Sequence, residues 1–230
     1  MSNPHRDRSF RWKARAAVVA LIAVTLMSQS GCSLFVMAGK AIFGDPEVTA
    51  PFSKAANVDL RDGMHTVLIV ASTPEAIKSE FPTTTSDLIN RVTRRLKNAG
   101  VDVINPNKVA TWLDDNGGLW DNPTELARAF DVDYIIHLNV EEFRLQDTTS
   151  PDLYQGFVSG NVSGYEVRET DEGKTAFRIF YRPIEKEYPE GHPLLSDRMP
   201  RESFHQEFMD RVSLQMSQML HNFRTSDISF

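Results

Sequence analysis

The chain has 230 residues, 41% of them hydrophobic and 24% charged, with 25 Lys and Arg against 31 Asp and Glu and a formal charge of −6. Such an acidic balance repels phosphate backbones and anionic lipid surfaces, which excludes nucleic acid as a partner and leaves no basic surface for lying flat on a membrane. Fourteen Phe and three Trp supply bulk for one substantial core, and a single Cys means that no internal disulfide supports it.

The charge is uneven along the chain. Arg6, Arg8, Arg11, Lys13 and Arg15 precede an uncharged run from Ala16 to Met27, AAVVALIAVTLM, and Ser28-Gln29-Ser30-Gly31 breaks that run ahead of Cys32. A basic segment followed by a short apolar one is an export signal, and twelve residues are too few to span a bilayer comfortably. Ser30-Gly31-Cys32 resembles the processing site of a bacterial lipoprotein signal, although Gln29 stands where such signals usually carry an apolar residue. The resemblance implies a signal peptide over 1–31, cleavage before Cys32, and acyl chains on that cysteine, which makes membrane lipid the first partner. One chain anchors only marginally, and the three that such lipoproteins carry suffice. It also implies a domain in the periplasm, and Ser33 in place of a retaining aspartate points to the outer membrane over the inner. Without its five basic residues and one acid, the mature chain keeps 20 Lys and Arg against 30 Asp and Glu, a charge of −10.

Residues 32–60 mix small, polar and aromatic groups around Gly44-Asp45-Pro46 and Pro51, and read as the lipidated N-terminus and a spacer onto which Phe52 and its neighbours can fold back. A single α/β domain is expected over 61–226, with a tail at 227–230. HTVLIVA, from His65, is a buried strand by its branched apolar run. A helix over 86–98 places Leu88, Ile89, Val92 and Leu96 on one side and Arg91, Arg94, Arg95 and Lys97 on a solvated face, and Gly100 ends it. VDVIN is a second strand. Asn105-Pro106 and Asn122-Pro123 each supply a cap and a first-turn proline for the next two helices. DVDYIIHLNVEEF follows as a long strand, with Tyr134, Ile136, Leu138 and Val140 on one face and Ile135, His137, Asn139 and Glu141 on the other. QGFVSGNVSGYEVR, the polar turn ETDEGK and TAFRIFYR make a hairpin, and a last helix over 199–223 buries Phe204, Phe208, Val212, Met216 and Leu220. The order β-α-β-α-α-β-β-β-α specifies an α/β fold with α+β character: one mixed sheet of about five strands with helices packed on it.

Chemistry is sparse. Five histidines follow the signal, His65, His137, His192, His205 and His221, and none has a metal-ligand spacing; no G-x-S-x-G elbow is present. The three glycines of GFVSGNVSG match no phosphate loop and suit a close helix or strand approach. Glu141 and Glu142 are adjacent in a strand and should point apart. His137, Asn139 and Glu141 share a strand face, either as the polar surface of a half-buried strand or as a ligand or base with its orienter. Trp120, in the segment GGLW, is expected against the sheet; an exposed ring would be a partner contact. No catalytic residue, metal or cofactor is predicted.

HTVLIVA, RLKNAGVDVIN, ELARAFDVDYIIHLNVEEF, SGNVSGYEV and the closing FHQEFMDRVSLQMSQMLHNF together resemble a small periplasmic α/β domain over about residues 64–223. It is shared by the curli-secretion lipoprotein, the lipoprotein activator of penicillin-binding proteins and the N-terminal domain of the Tol–Pal propeller protein. The resemblance implies a non-catalytic envelope module that binds another envelope protein or supports an assembly, with a homo-oligomer open as well. Channel-forming members insert hairpins through the outer membrane, and Arg168, Glu169, Asp171, Glu172 and Arg178 oppose that role for the hairpin here. The alternative is a lipid-anchored hydrolase or small-ligand binder using the His137/Glu141 face. It requires a solvent-reachable pocket in which His137 meets further polar groups.

Overall fold

The computed structural model describes residues 45–118, 120 and 122–224, so the apolar run 16–27, Cys32 and the tail 227–230 lie outside the described residues. The chain divides into two units, residues 1–47 with 224–230, and Val48–Phe223; the second holds every element named here. It starts ahead of the boundary expected at residue 61. Pro51–Ala56 (α1) opens with proline at its first position, and Phe52 and Leu60 are fully buried. Phe52 packs edge-on against Tyr134 and Phe180, with ring centroids 5.5 and 5.6 Å apart. Its N–H donates to the Met219 carbonyl at 2.9 Å, and the Ala50 N–H donates to Asn222 Oδ1 at 2.8 Å. Residues 50–60 thus pack on this unit, as the sequence reading allows for Phe52 and its neighbours: a buried aromatic ring and paired backbone groups outweigh the entropy of ordering so short a segment.

Thr66–Ser72 (β1) buries Val67, Leu68, Ile69 and Val70, side chains on both faces, so both faces need cover. After Glu75–Glu80 (α2), the helix Thr84–Asn98 (α3) leads to Asp102–Val103 (β2), parallel to β1. Pro106–Asp115 (α4) and Pro123–Ala129 (α5) then lead to Tyr134–Gln146 (β3), parallel to β1 on its other side. Both proline-led helices are capped as their sequences predict: Asn105 Oδ1 accepts from the Asn107 N–H at 3.0 Å, and Asn122 Oδ1 from Thr124 at 2.9 Å. One crossover steps away from β1 and the other steps back past it, so a common right-handed sense sends their helices to opposite faces. Leu153–Thr170 (β4) and Gly173–Tyr188 (β5) continue the sheet antiparallel, and the short Leu194–Leu195 (β6) pairs with β4. The sheet order is β2-β1-β3-β4-β5, mixed, with helices on both faces as the element order requires.

Arg201–Gln218 (α6) packs beside α3 over the larger core, burying Phe204, Phe208, Met209, Val212 and Met216. The face carrying Arg91 and Arg95 is not simply solvated. Arg91 binds Asp210 and Gln206, and Arg95 Nε donates to Ser213 Oγ at 3.2 Å, so the two helices are joined by charge-assisted bonds as well as by their apolar stripes. The smaller core, around Leu68, Val70, Val109, Leu126 and Ile135, lies under α4 and α5 on the opposite face. The glycines of β4 act as the sequence suggests, through close approach. A Cβ on Gly156 would lie 2.8 Å from the Phe208 ring, one on Gly164 would lie 2.6 Å from Phe52, and one on Gly160 would lie 2.0 Å from the Asn139 carbonyl oxygen.

Candidate functional site

The smaller core covers only part of its face. From its edge, strand register aligns two rows of side chains, most of them polar. Val70, His137, Ser163 and Tyr181 are successive neighbours across β1, β3, β4 and β5, and Ser72, Asn139, Asn161 and Pro183 form the next row. A bulge then interrupts β3: Val140 pairs with Gly160 and Glu142 with Ser159, leaving Glu141 as the extra residue. The bulge returns Phe143 and Leu145 to the core that holds Val140 and re-aims Glu141. Its Oε1 accepts from Asn139 Nδ2 at 3.1 Å and from Asn161 Nδ2 at 3.0 Å. Glu142, opposite Ser159 and paired with Arg144, lies on the same face. The expectation that the two carboxylates point apart is thus overturned, because it assumed an uninterrupted two-residue period.

Hydrogen bonding sets a proton order from Glu141 to His137. Because Asn139 turns its amide nitrogen to Glu141, its Oδ1 faces Ser72, and the Ser72 hydroxyl donates to it at 2.9 Å. Ser72 has only one proton. Its contact with His137 Nε2 at 2.6 Å must therefore run the other way, Nε2–H donating to Ser72 Oγ. That selects the Nε2–H tautomer and leaves Nδ1 as a lone pair with no hydrogen-bond partner among the described residues. Burial pushes the imidazole down from its usual 6.5 to about 4, so it is neutral at ordinary pH.

This pairing has the spacing of a serine–histidine dyad and the opposite polarity. A nucleophilic serine gives its proton to histidine; here histidine gives a proton to serine, and the serine proton is held by an amide. Among the described residues, no group of three His, Cys, Asp or Glu could hold a metal ion.

His137 also lines a cavity of ≈ 640 Å³ at the carboxyl end of β1. The location follows from topology: β2 and β3 leave β1 on opposite sides, and the crevice opens where the connections part. Its walls come from Ile69 and Val70 of β1, Ile89 of α3, and Val109 and Leu113 of α4, with Lys78 of α2 also contributing. Trp120, half-buried, meets the His137 ring edge-on at 4.7 Å between centroids and forms part of the wall. His137, Asn139 and Glu141 are thus one connected group, and Trp120 joins it through His137. Sequence reading missed Ser72, Asn161 and Ser163. Alternation in QGFVSGNVSG marks the last two as sharing a face, but nothing local pairs Ser72 with His137. A second cavity of ≈ 330 Å³ adjoins Phe81 and His205, whose buried Nε2 has no partner among the described residues. Burial lowers the pKa of that ring too.

No protein-family model matches the chain, and no curated protein matches it. Several solved structures are similar to it at low identity. Lipoprotein GNA1162 from Neisseria meningitidis is 15% identical, covering 66% of this chain and 96% of that one at a TM-score of 0.38. The PelC dodecamer from Paraburkholderia phytofirmans is 14% identical, covering 76% and 96% at 0.37. Protein XCC0632 from Xanthomonas campestris is 12% identical, covering 66% and 81% at 0.42.

Proposed function

We propose that the chain is a lipid-anchored bacterial envelope protein, held through acylated Cys32, whose α/β unit is a non-catalytic binding or scaffold module in the periplasm. What supports the non-catalytic half is the hydrogen bonding of the polar strip: among the described residues, the Ser72 hydroxyl beside His137 donates to Asn139 Oδ1 and so holds its proton away from the imidazole. The address rests on the basic N-terminus, the apolar run and Ser30-Gly31-Cys32. On this reading the anchor and the acidic surface keep the unit at the membrane without laying it flat, facing another envelope protein or a second copy. The outer membrane is the favoured site, from Ser33. Trp120 and the polar strip are the contact residues.

Cell fractionation of the Cys32→Ser variant tests the anchor. The variant should leave the membrane fraction, and intact-mass measurement of the native protein should show loss of residues 1–31 and a lipid adduct. A variant that stays in the membrane, or a native protein without the adduct, refutes it. Cross-linking in intact cells tests the module, and recovery of neither a specific envelope protein nor a self-dimer refutes that half.

The cavity favours one part of the alternative, small-ligand binding at His137. The hydrolase part requires Ser72 to release its proton to His137, against the polarity that the Ser72–Asn139 bond favours.

A further inference from the structure

The cavity at the carboxyl end of β1 has an unusual polar lining. Three of its polar groups spend their protons within the protein. The Ser72 hydroxyl donates to Asn139, the Ser86 hydroxyl donates to the Thr83 carbonyl at 2.9 Å, and His137 Nε2–H donates to Ser72. What these three groups keep for an occupant is lone pairs: His137 Nδ1 and the remaining acceptor capacity of two hydroxyl oxygens. No carboxylate lines the cavity among the described residues. Lys78 disfavours a cation there, and its own charge is paired with Glu75 at 3.7 Å. Most of the remaining wall is aliphatic and aromatic, with Thr85, Trp120 and Tyr165 adding polar atoms, and the volume lies within the range of pockets that enclose drug-sized molecules.

We propose that this cavity binds a small molecule with an apolar body and a hydroxyl or amide hydrogen that it donates to His137 Nδ1. The site rests on the binding-protein reading and adds to it a ligand class. The polar strip is then a positioning device. Glu141 orients Asn139, Asn139 takes the Ser72 proton, and Ser72 holds His137 in the tautomer whose free nitrogen accepts. Trp120 packs against the ring and limits its rotation.

Two isomeric probes separate the parts of this claim. p-Cresol carries a donor hydroxyl, while anisole has the same formula with its oxygen capped. Each is titrated into the purified full chain, with free aqueous concentrations measured, and the ¹⁵N shifts of the His137 ring are followed. p-Cresol should bind saturably and roughly three- to tenfold more tightly than anisole, the worth of one neutral hydrogen bond, and should shift Nδ1 while Nε2 stays protonated. His137→Phe should equalise the two. Ala110→Trp, which fills the cavity from an exposed helix position, should abolish both even if His137→Phe does not fold. Equal binding of the isomers to the native protein, no saturable binding of either, or binding unaffected by Ala110→Trp overturns the proposal. Because these titrations do not depend on membrane attachment, they can fail while the anchor stands, and the reverse.

Discussion

The two sides of β4 differ in kind. On the side under α1 and α6 the strand reads Tyr154, Gly156, Val158, Gly160, Val162, Gly164, with the glycines admitting Phe208, the Asn139 backbone and Phe52. On the other side it carries Phe157, Ser159, Asn161 and Ser163, and the last two join a hydrogen-bonded strip that ends beside a cavity. One face is dry and close-packed, so its residues are determined by volume. The other carries polar groups, the buried Asn161 and Ser163 among them, that hydrogen bonds join into one strip. Close apolar packing and polar hydrogen bonding are divided between faces rather than along the chain.

The sharpest break of the dry face is Phe208→Ala, expected to cost about 3–5 kcal/mol because it leaves a cavity between α6 and the sheet. Denaturant midpoints measure it. Gly156→Ala should cost about 1–3 kcal/mol by overpacking, and that penalty should vanish in the Phe208→Ala background. Additive costs would mean that the ring is not what requires the glycine.

Acid probes the wet face. In the folded protein His137 is held neutral down to about 4, while in the unfolded chain it titrates near 6.5. Between those values the unfolded state binds more protons, so the stabilisation is present above pH 6.5 and lost as pH falls towards 4. The loss is on the order of 2–3 kcal/mol, allowing for partial solvent access. Burial, rather than a neighbouring charge, is the cause of the shift. His137→Phe should flatten the profile in this window, and an unchanged slope would assign the acid sensitivity elsewhere.

A smaller effect is diagnostic. Asn139→Ala should cost about 1–2 kcal/mol and free the Ser72 proton to turn towards His137. The ¹⁵N spectrum should then show the imidazole changing to the Nδ1–H tautomer, and retention of the Nε2–H form would break the proton order described for the strip. Smallest of all, His205→Leu removes a buried nitrogen that has no partner among the described residues, and stability should hold or rise by up to about 1 kcal/mol.

Much of the scaffold is legible locally. The alternation of Tyr134, Ile136, Leu138 and Val140 against Ile135, His137 and Asn139 assigns β3 its faces, and Asn105 and Asn122 mark helix starts with their own side chains. The candidate triad of His137, Asn139 and Glu141 was visible for the same reason. Phe52 was harder to assign because its neighbours form no periodic stripe; its burial depends on Tyr134 and Phe180, far along the chain.

By itself, then, the sequence determined the element order, the two-sided character of β3, the acidic surface and the lone thiol with its preceding basic and apolar segments. Each depends on composition or on neighbours within one helical turn or strand period. Tertiary structure alone decided that Ser72 meets His137, that a bulge turns Glu141 onto two asparagines, and that a cavity opens where β2 and β3 part from β1. Those outcomes depend on strand register and crossover side, which are settled by packing between segments that no local pattern relates.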